Sequence, residues 1–205
     1  KEKTMKYFLT IVLAVSSITF AQDAPQIPGW GVYVGGALNG VTVDPEPEGM
    51  TYGRELNLPF VGVSRGIQIP GFPIPLLVGA GLGKRGFNSE NADADFKSSS
   101  STDWLDVWAT IPYPVGPVIA QVGLVYGTGL GTGINTIEMN GETTEEDLDG
   151  EFGDVTDLGL LLGGAYPINE KIGINFGYAL GLKDHGSDGR ELKYNGLYLL
   201  LGYNF

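Results

Sequence analysis

From residue 30 to the end, the chain is a run of short segments whose side chains alternate in size. The connections between them are strictly long, short, long, short. The stretch GINFGYALGL, residues 173–182, is the clearest case: Ile174, Phe176, Tyr178, Leu180 and Leu182 alternate with Gly173, Asn175, Gly177, Ala179 and Gly181. A period of two belongs to a β-strand with two unlike faces. Eight such segments occur, at residues 30–38, 58–66, 76–84, 104–111, 118–126, 157–166, 172–182 and 196–205. Connections 39–57, 85–103, 127–156 and 183–195 are long. Connections 67–75, 112–117 and 167–171 are short and carry the Pro, Gly and Asn of tight turns. In an up-and-down antiparallel sheet, that order gathers every elaborate loop at one end. A soluble sandwich has no reason to do this. A barrel that crosses an outer membrane does, with an even strand number and both termini at the short-turn, periplasmic end.

The placement of charge separates a membrane barrel from a soluble one. A lipocalin-like barrel also has eight strands, but it shows polar residues to water on the outer half of each strand. Of the 32 charged residues beyond residue 21, only Arg65, Lys84, Asp106 and Asp157 fall inside the eight segments. Hydrocarbon imposes such a pattern, because a basic residue at the bilayer midplane costs about 2–4 kcal/mol. The large apolar faces are therefore expected to meet lipid. The last strand would turn Leu197, Leu199, Leu201, Tyr203 and Phe205 outward; the fourth would turn Leu105, Val107, Ala109 and Ile111 outward and Asp106, Trp108 and Thr110 inward. Trp30, Tyr126, Tyr166, Tyr178 and Tyr203 stand near strand ends, where interfacial aromatics belong. Ten residues rising about 3.3 Å each and tilted roughly 45° cover about 23 Å, close to the height of the apolar band. The expected fold is an all-β, eight-stranded antiparallel up-and-down transmembrane β-barrel.

Composition agrees and excludes several functions. The 33 glycines exceed the roughly 14 of average usage, and each interior Gly costs a helix roughly 1 kcal/mol against Ala. With no cysteine, disulfides, zinc–thiolate sites and Cys nucleophiles are ruled out. Residues 1–21 read as a signal peptide: Lys1, Lys3 and Lys6 surround Met5, the expected initiator, and an apolar run from Tyr7 to Phe20 leads to Ala21. The barrel domain is then 22–205. Removing three bases and one acid leaves 9 bases and 23 acids, net -14. Such acidity argues against nucleic acid as a partner.

Four stretches carry the look of a known family: DWLDVWATIP, DLGLLLGGAY, YALGL and KYNGLYLLLGYNF. Trp104, Leu105, Asp106, Asp157, Gly159, Gly163, Gly164, Tyr178, Gly181, Leu182, Lys193, Asn195, Gly202, Tyr203 and Phe205 are the residues concerned. The chain resembles the PorT-type outer-membrane β-barrel proteins of Bacteroidota and relatives, over residues 76–205. The resemblance implies a Gram-negative outer-membrane location, contact with outer-membrane lipid, and insertion by the barrel-assembly machinery. Leu199, Leu201, Tyr203 and the terminal Phe205 look like the C-terminal signal that machinery reads. Protein partners in the envelope, within a secretion assembly, are a further implication, by analogy alone.

No enzyme is expected, and no cofactor. His185, the only histidine, lies in KDHGSDGRE with Asp184, Ser187 and Asp188, too crowded in one loop for a catalytic triad; it reads as a solvated loop histidine. The run of eight acids from Glu138 to Asp154 reads as a solvated external loop. Divalent-cation binding by Asp147, Asp149 and Glu151 is the alternative. GLGKRG (81–86) and GTGLGTG (127–133) open no helix and are not phosphate loops. Arg65 or Arg85, with Asp106, Gln121, Asp157 and Asn175, are the candidates for a polar network in the lumen. Eight strands enclose a lumen just wide enough to be filled by side chains. A plugged structural or interaction barrel is expected, the alternative being a narrow channel for small solutes or a lipid-access barrel.

Overall fold

The computed structural model describes residues 29–71, 75–148, 155–186 and 189–205. The expected signal peptide, residues 1–21, lies outside the described residues. Among the described residues nine strands form one antiparallel sheet: β1 (Trp30–Asp44), β2 (Met50–Ile67), β3 (Leu76–Asn91), β4 (Phe96–Val115), β5 (Val118–Met139), β6 (Glu142–Leu148), β7 (Thr156–Pro167), β8 (Ile172–Gly181) and β9 (Glu191–Asn204). Each pairs with its neighbours in chain order, except that β7 pairs with β5 and β6 extends β5 as an outer hairpin arm. β9 pairs with β1 from Gly31↔Asn204 to Asp44↔Glu191, which closes the ring. Eight strands thus form the barrel, and β6 stands outside it.

All eight segments read from alternation lie within these barrel strands or end one residue past them. Their lengths were underestimated. β4 and β5 have 20 and 22 residues, and three of the four long connections are mostly strand that continues above the apolar belt. Phe96↔Met139 through Ser101↔Ile134 pair in the region expected to be loop. Polar residues there do not mark the end of pairing. At the tips, Asn91 Oδ1 accepts from the N–H groups of Asp93 and Ala94 at 3.1 and 3.2 Å, capping one turn of 3-10 helix at Ala92–Ala94. Asn140 and Gly141 both have positive φ, 52° and 78°, the backbone of a type I′ hairpin turn. At the opposite end, Gly116 and Pro117 alone separate β4 from β5.

The packing is inverted relative to a soluble protein. Leu199 is 62% exposed, Val34 51% and Leu124 50%, all on the outer face. Buried polar residues include Asn39, Asn57, Ser64, Thr110, Asp157 and Asn195. The interior is made compact by rings laid on glycines. A Cβ at Gly79 would strike the Trp108 ring, and one at Gly81 would strike Phe60. Gly163 and Gly177 leave the same space for the Tyr198 hydroxyl. Glycine in a strand commonly marks close approach, and here it lets large aromatics lie flat across a narrow lumen.

Candidate functional site

The lumen is crossed near its long-hairpin end by a charged cluster drawn from three strands and one connection. Arg85 of β3 donates through Nη1 to Asp157 Oδ2 of β7 at 2.7 Å and through Nη2 to Asp106 Oδ1 of β4 at 2.5 Å. All three side chains are largely withdrawn from water. The register explains the convergence, since Gly127 of β5 pairs with both Asp106 and Asp157. A Cβ at Gly127 would meet Asp106, Arg85 and Trp104, so glycine there leaves room for the ions to meet. Trp104, 1% exposed, lies beside the guanidinium, with the Arg85 carbon Cζ 4.3 Å from its ring centroid. Trp104 in turn packs edge-on against Tyr194 of β9 at 5.7 Å.

His185 joins this cluster from the β8–β9 connection. Its Nε2 is 3.3 Å from Asp157 Oδ1, and its ring stands 5.2 Å from Tyr194 in an edge-on arrangement. The expectation of a solvated loop histidine is therefore corrected: the side chain is 12% exposed and turns into the barrel mouth. The connection is shaped for this. Asp184 Oδ1 accepts from the N–H groups of Gly186 and Leu192 at 2.8 and 2.9 Å, and His185 N–H donates to the Leu192 carbonyl at 2.8 Å. Those two backbone donors hold the Asp184 carboxyl below the usual carboxylate range. Ser187 and Asp188, the other members of the rejected triad, lie outside the described residues.

The candidate residues separate into two groups. Arg85, Asp106 and Asp157 form the cluster, and Gln121 and Asn175 line the cavity beneath it. Arg65 does not belong. It has the same outward parity as Val61 and Val63, is exposed, and lies 5.3 Å over the ring of Trp30 on the outer surface. Leu199, Leu201, Tyr203 and Phe205 stand in one outward column, with Tyr203 and Phe205 ring centroids 5.2 Å apart. Among the described residues no group of three or more acidic or histidine side chains is arranged to hold a metal ion. Asp149 and Glu151 of the proposed cation loop lie outside them.

A closed ring of eight antiparallel strands, with large apolar residues outside and an ionic cluster within, is the frame that comparison with known proteins identifies. Residues 9–205 match the family model of the outer membrane protein β-barrel domain. The chain belongs to that family. As an outer membrane β-barrel domain it crosses the bilayer with strands, and Leu197, Leu199 and Leu201 of β9 are exposed on its outer face. Among solved structures it is similar to Neisserial surface protein A, with 16% identity over 87% of this chain and 99% of that one, at a TM-score of 0.45. It is also similar to Ail, the attachment invasion locus protein of Yersinia pestis (15% identity, 87% and 99% covered, TM-score 0.46). A third is the outer membrane protein OprG of Pseudomonas aeruginosa (15%, 87% and 97%, TM-score 0.41). No curated protein sequence matches. For an outer membrane β-barrel domain, the informative residues that sequence reasoning missed are Trp104, Tyr194 and His185. Trp104 was legible in part, since it shares the inward parity of Asp106 and Trp108. Tyr194 and His185 sit where a loop had been expected.

Proposed function

We propose that this protein is an outer-membrane barrel with a closed lumen, serving a structural or interaction role in the envelope. The observation that carries the reading is the Arg85–Asp106–Asp157 cluster packed on Trp104 across the lumen. A conducting pore needs a continuous wet path, and here a guanidinium, two carboxylates and an indole occupy it. What the barrel offers a partner is then its outside. Its termini face the periplasm in this reading, and the paired strands of β4, β5 and β6 form a polar wall beyond the outer leaflet. At about 3.3 Å per residue, the 22 residues of β5 exceed what a tilted strand needs to span roughly 25 Å of apolar band. The PorT-type resemblance favours envelope protein partners within a secretion assembly. Leu199, Leu201, Tyr203 and Phe205 would be the signal read by the barrel-assembly machinery during insertion.

The test is single-channel conductance of the refolded protein in planar bilayers. The closed reading expects no steady openings from the native chain and openings after Arg85→Ala. Steady native openings that grow on Asp106→Ala would overturn it. A narrow solute channel is the second reading, favoured by the cavity that runs below the cluster past Gln121 and Asn175.

A further inference from the structure

Two arginines stand on the outer face of β2, one near each end. Between them Leu56, Leu58, Val61 and Val63 are exposed on the same face, the parity changing at the bulge between Asn57 and Phe60. Arg54 and Arg65 are eleven positions apart on β2, and their β3 partners Phe87 and Val78 are nine apart. At about 3.3 Å per residue and a tilt of roughly 45°, these spacings span about 26 and 21 Å. An apolar band is about 25 Å tall, so the two guanidinium groups bracket it. Arg65 lies over Trp30 at the short-turn end, and Arg54 over Tyr178 at the long-hairpin end.

The Arg54 side chain crosses β1 over Gly40, where a Cβ would meet its Cγ at 3.0 Å. Its Nη1 donates to the Leu38 carbonyl at 3.2 Å and its Nη2 to the Tyr178 hydroxyl at 3.4 Å. Its Cζ is 5.5 Å from the Tyr178 ring centroid. A guanidinium carries five N–H donors, so two neutral acceptors leave other donors and the whole charge open. Among the described residues no carboxylate pairs with Arg54. The adjacent Glu55 is engaged elsewhere, accepting from Ser99 Oγ of β4 at 3.1 Å.

We propose that Arg54 and Tyr178 form a binding site for the phosphate of an outer-leaflet lipid whose acyl chains run over Leu56 and Leu58. The guanidinium fork matches two phosphate oxygens. The Tyr178 hydroxyl accepts from Arg54 and keeps its own proton to donate to a third. Depth selects the group, because a phospholipid carries its phosphate ester where the acyl region ends. The site rests on the barrel crossing the membrane and not on a closed lumen, so conductance and lipid binding fail separately.

The experiment uses the full chain refolded in detergent micelles, with native mass spectrometry reading the lipid-bound fraction. The probes are dioleoyl phosphatidic acid and dioleoylglycerol, which has the same chains and no phosphate. Heat-modifiable gel mobility certifies that each variant is folded. The native chain is expected to bind phosphatidic acid saturably and more tightly than dioleoylglycerol. Arg54→Gln should weaken phosphatidic acid about fivefold, the worth of one basic residue at an anionic membrane surface, and leave dioleoylglycerol unchanged. Arg54→Lys keeps the charge without the fork and should fall between. Tyr178→Phe keeps the ring and loses the hydroxyl, and should weaken phosphatidic acid by at least about twofold. Equal affinity for the two lipids would overturn the proposal, as would phosphatidic acid binding that neither Arg54→Gln nor Tyr178→Phe alters. Displacement of phosphatidic acid by an equal concentration of inorganic phosphate would also overturn it, since the site would then take free phosphate and not a lipid.

Discussion

Arg85 and Asp157 stand 72 positions apart in the chain and 2.7 Å apart in the lumen. Strands β4 and β5 stand between β3 and β7 in the sheet, so the contact reaches across two intervening strands. The same guanidinium holds Asp106, so one cation serves two carboxylates. Arg85→Met should therefore leave two acids facing each other with no cation. Breaking a buried pair from one side costs about 3–5 kcal/mol. Arg85→Met combined with Asp106→Asn and Asp157→Asn should recover most of that loss, measured by urea unfolding in lipid vesicles. Equal destabilisation of the single and triple variants would show that packing, not charge, governs the cluster.

Trp104 packs against the cluster on its long-hairpin side. Its ring is 1% exposed and touches both the Arg85 guanidinium and Tyr194. Trp104→Ala should cost about 3–5 kcal/mol, the range for a large buried aromatic. Trp104→Phe keeps a ring beside the cation and should cost less. The same unfolding titration distinguishes the two.

The interior aromatics depend on glycine opposite them. In Gly79→Val the new side chain occupies the volume of the Trp108 ring. Overpacking of this kind costs about 1–3 kcal/mol, and the near-ultraviolet circular dichroism of the indole should diminish. Gly71, whose Cβ would meet nothing within 4 Å, has a positive φ of 81°. Gly71→Asn, an αL-tolerant change, should leave both signals unaltered.

What the sequence made legible follows from what lipid enforces. An outer face in hydrocarbon cannot carry charge, so the alternation of Leu197, Leu199 and Leu201 with Tyr198, Leu200 and Gly202 survives undisguised. Above the membrane that constraint lapses. Ser98, Ser99, Ser100 and Ser101 pair as strand because their partners on β5 hold them, although serine has little strand preference of its own. The turn that begins β6 was visible as Asn140–Gly141, a strong hairpin signal, but its acidic surroundings read as a solvated loop. Arg65 shares parity with the outward Val61 and Val63, which the expectation of a lumen position for it overlooked. His185 is a different matter: its partner Asp157 lies on another strand, and only the folded connection brings them together.

The β8–β9 connection should loosen in acid. Asp184 is fully exposed, but its carboxylate accepts from the Gly186 and Leu192 N–H groups, which lowers its pKa below the ordinary value. A carboxyl lowered in the folded state contributes stability that is complete above its unfolded pKa, about 3.9. That contribution is lost as pH falls from there through the lower folded value. Amide exchange at Gly186 and Leu192, relative to the pH dependence of an unstructured amide, should therefore accelerate below about pH 4. Asp184→Ala should show fast exchange at both amides at every pH, with the barrel strands still protected. Protection of Gly186 and Leu192 unchanged by that substitution would assign the loop's order to other contacts.

Leu199 and Met139 are both exposed and both on strands, yet the barrel reading assigns them to different solvents. Leu199 lies near the middle of the apolar column of β9, opposite Gly36 and Phe176. Met139 ends β5 beside the Asn140–Gly141 turn, paired with Glu142 of β6. Their exposures, 62% and 51%, do not separate them. Depth does. Leu199→Arg should destabilise the barrel by about 2–4 kcal/mol, the midplane value for a basic residue. Met139→Arg should fall within about 0.5 kcal/mol of the native chain, as for an ordinary surface change. Equilibrium unfolding in vesicles measures both. A large cost at Met139 would place the tip of β5 in lipid and shorten the polar wall; a negligible cost at Leu199 would remove that column from the membrane altogether.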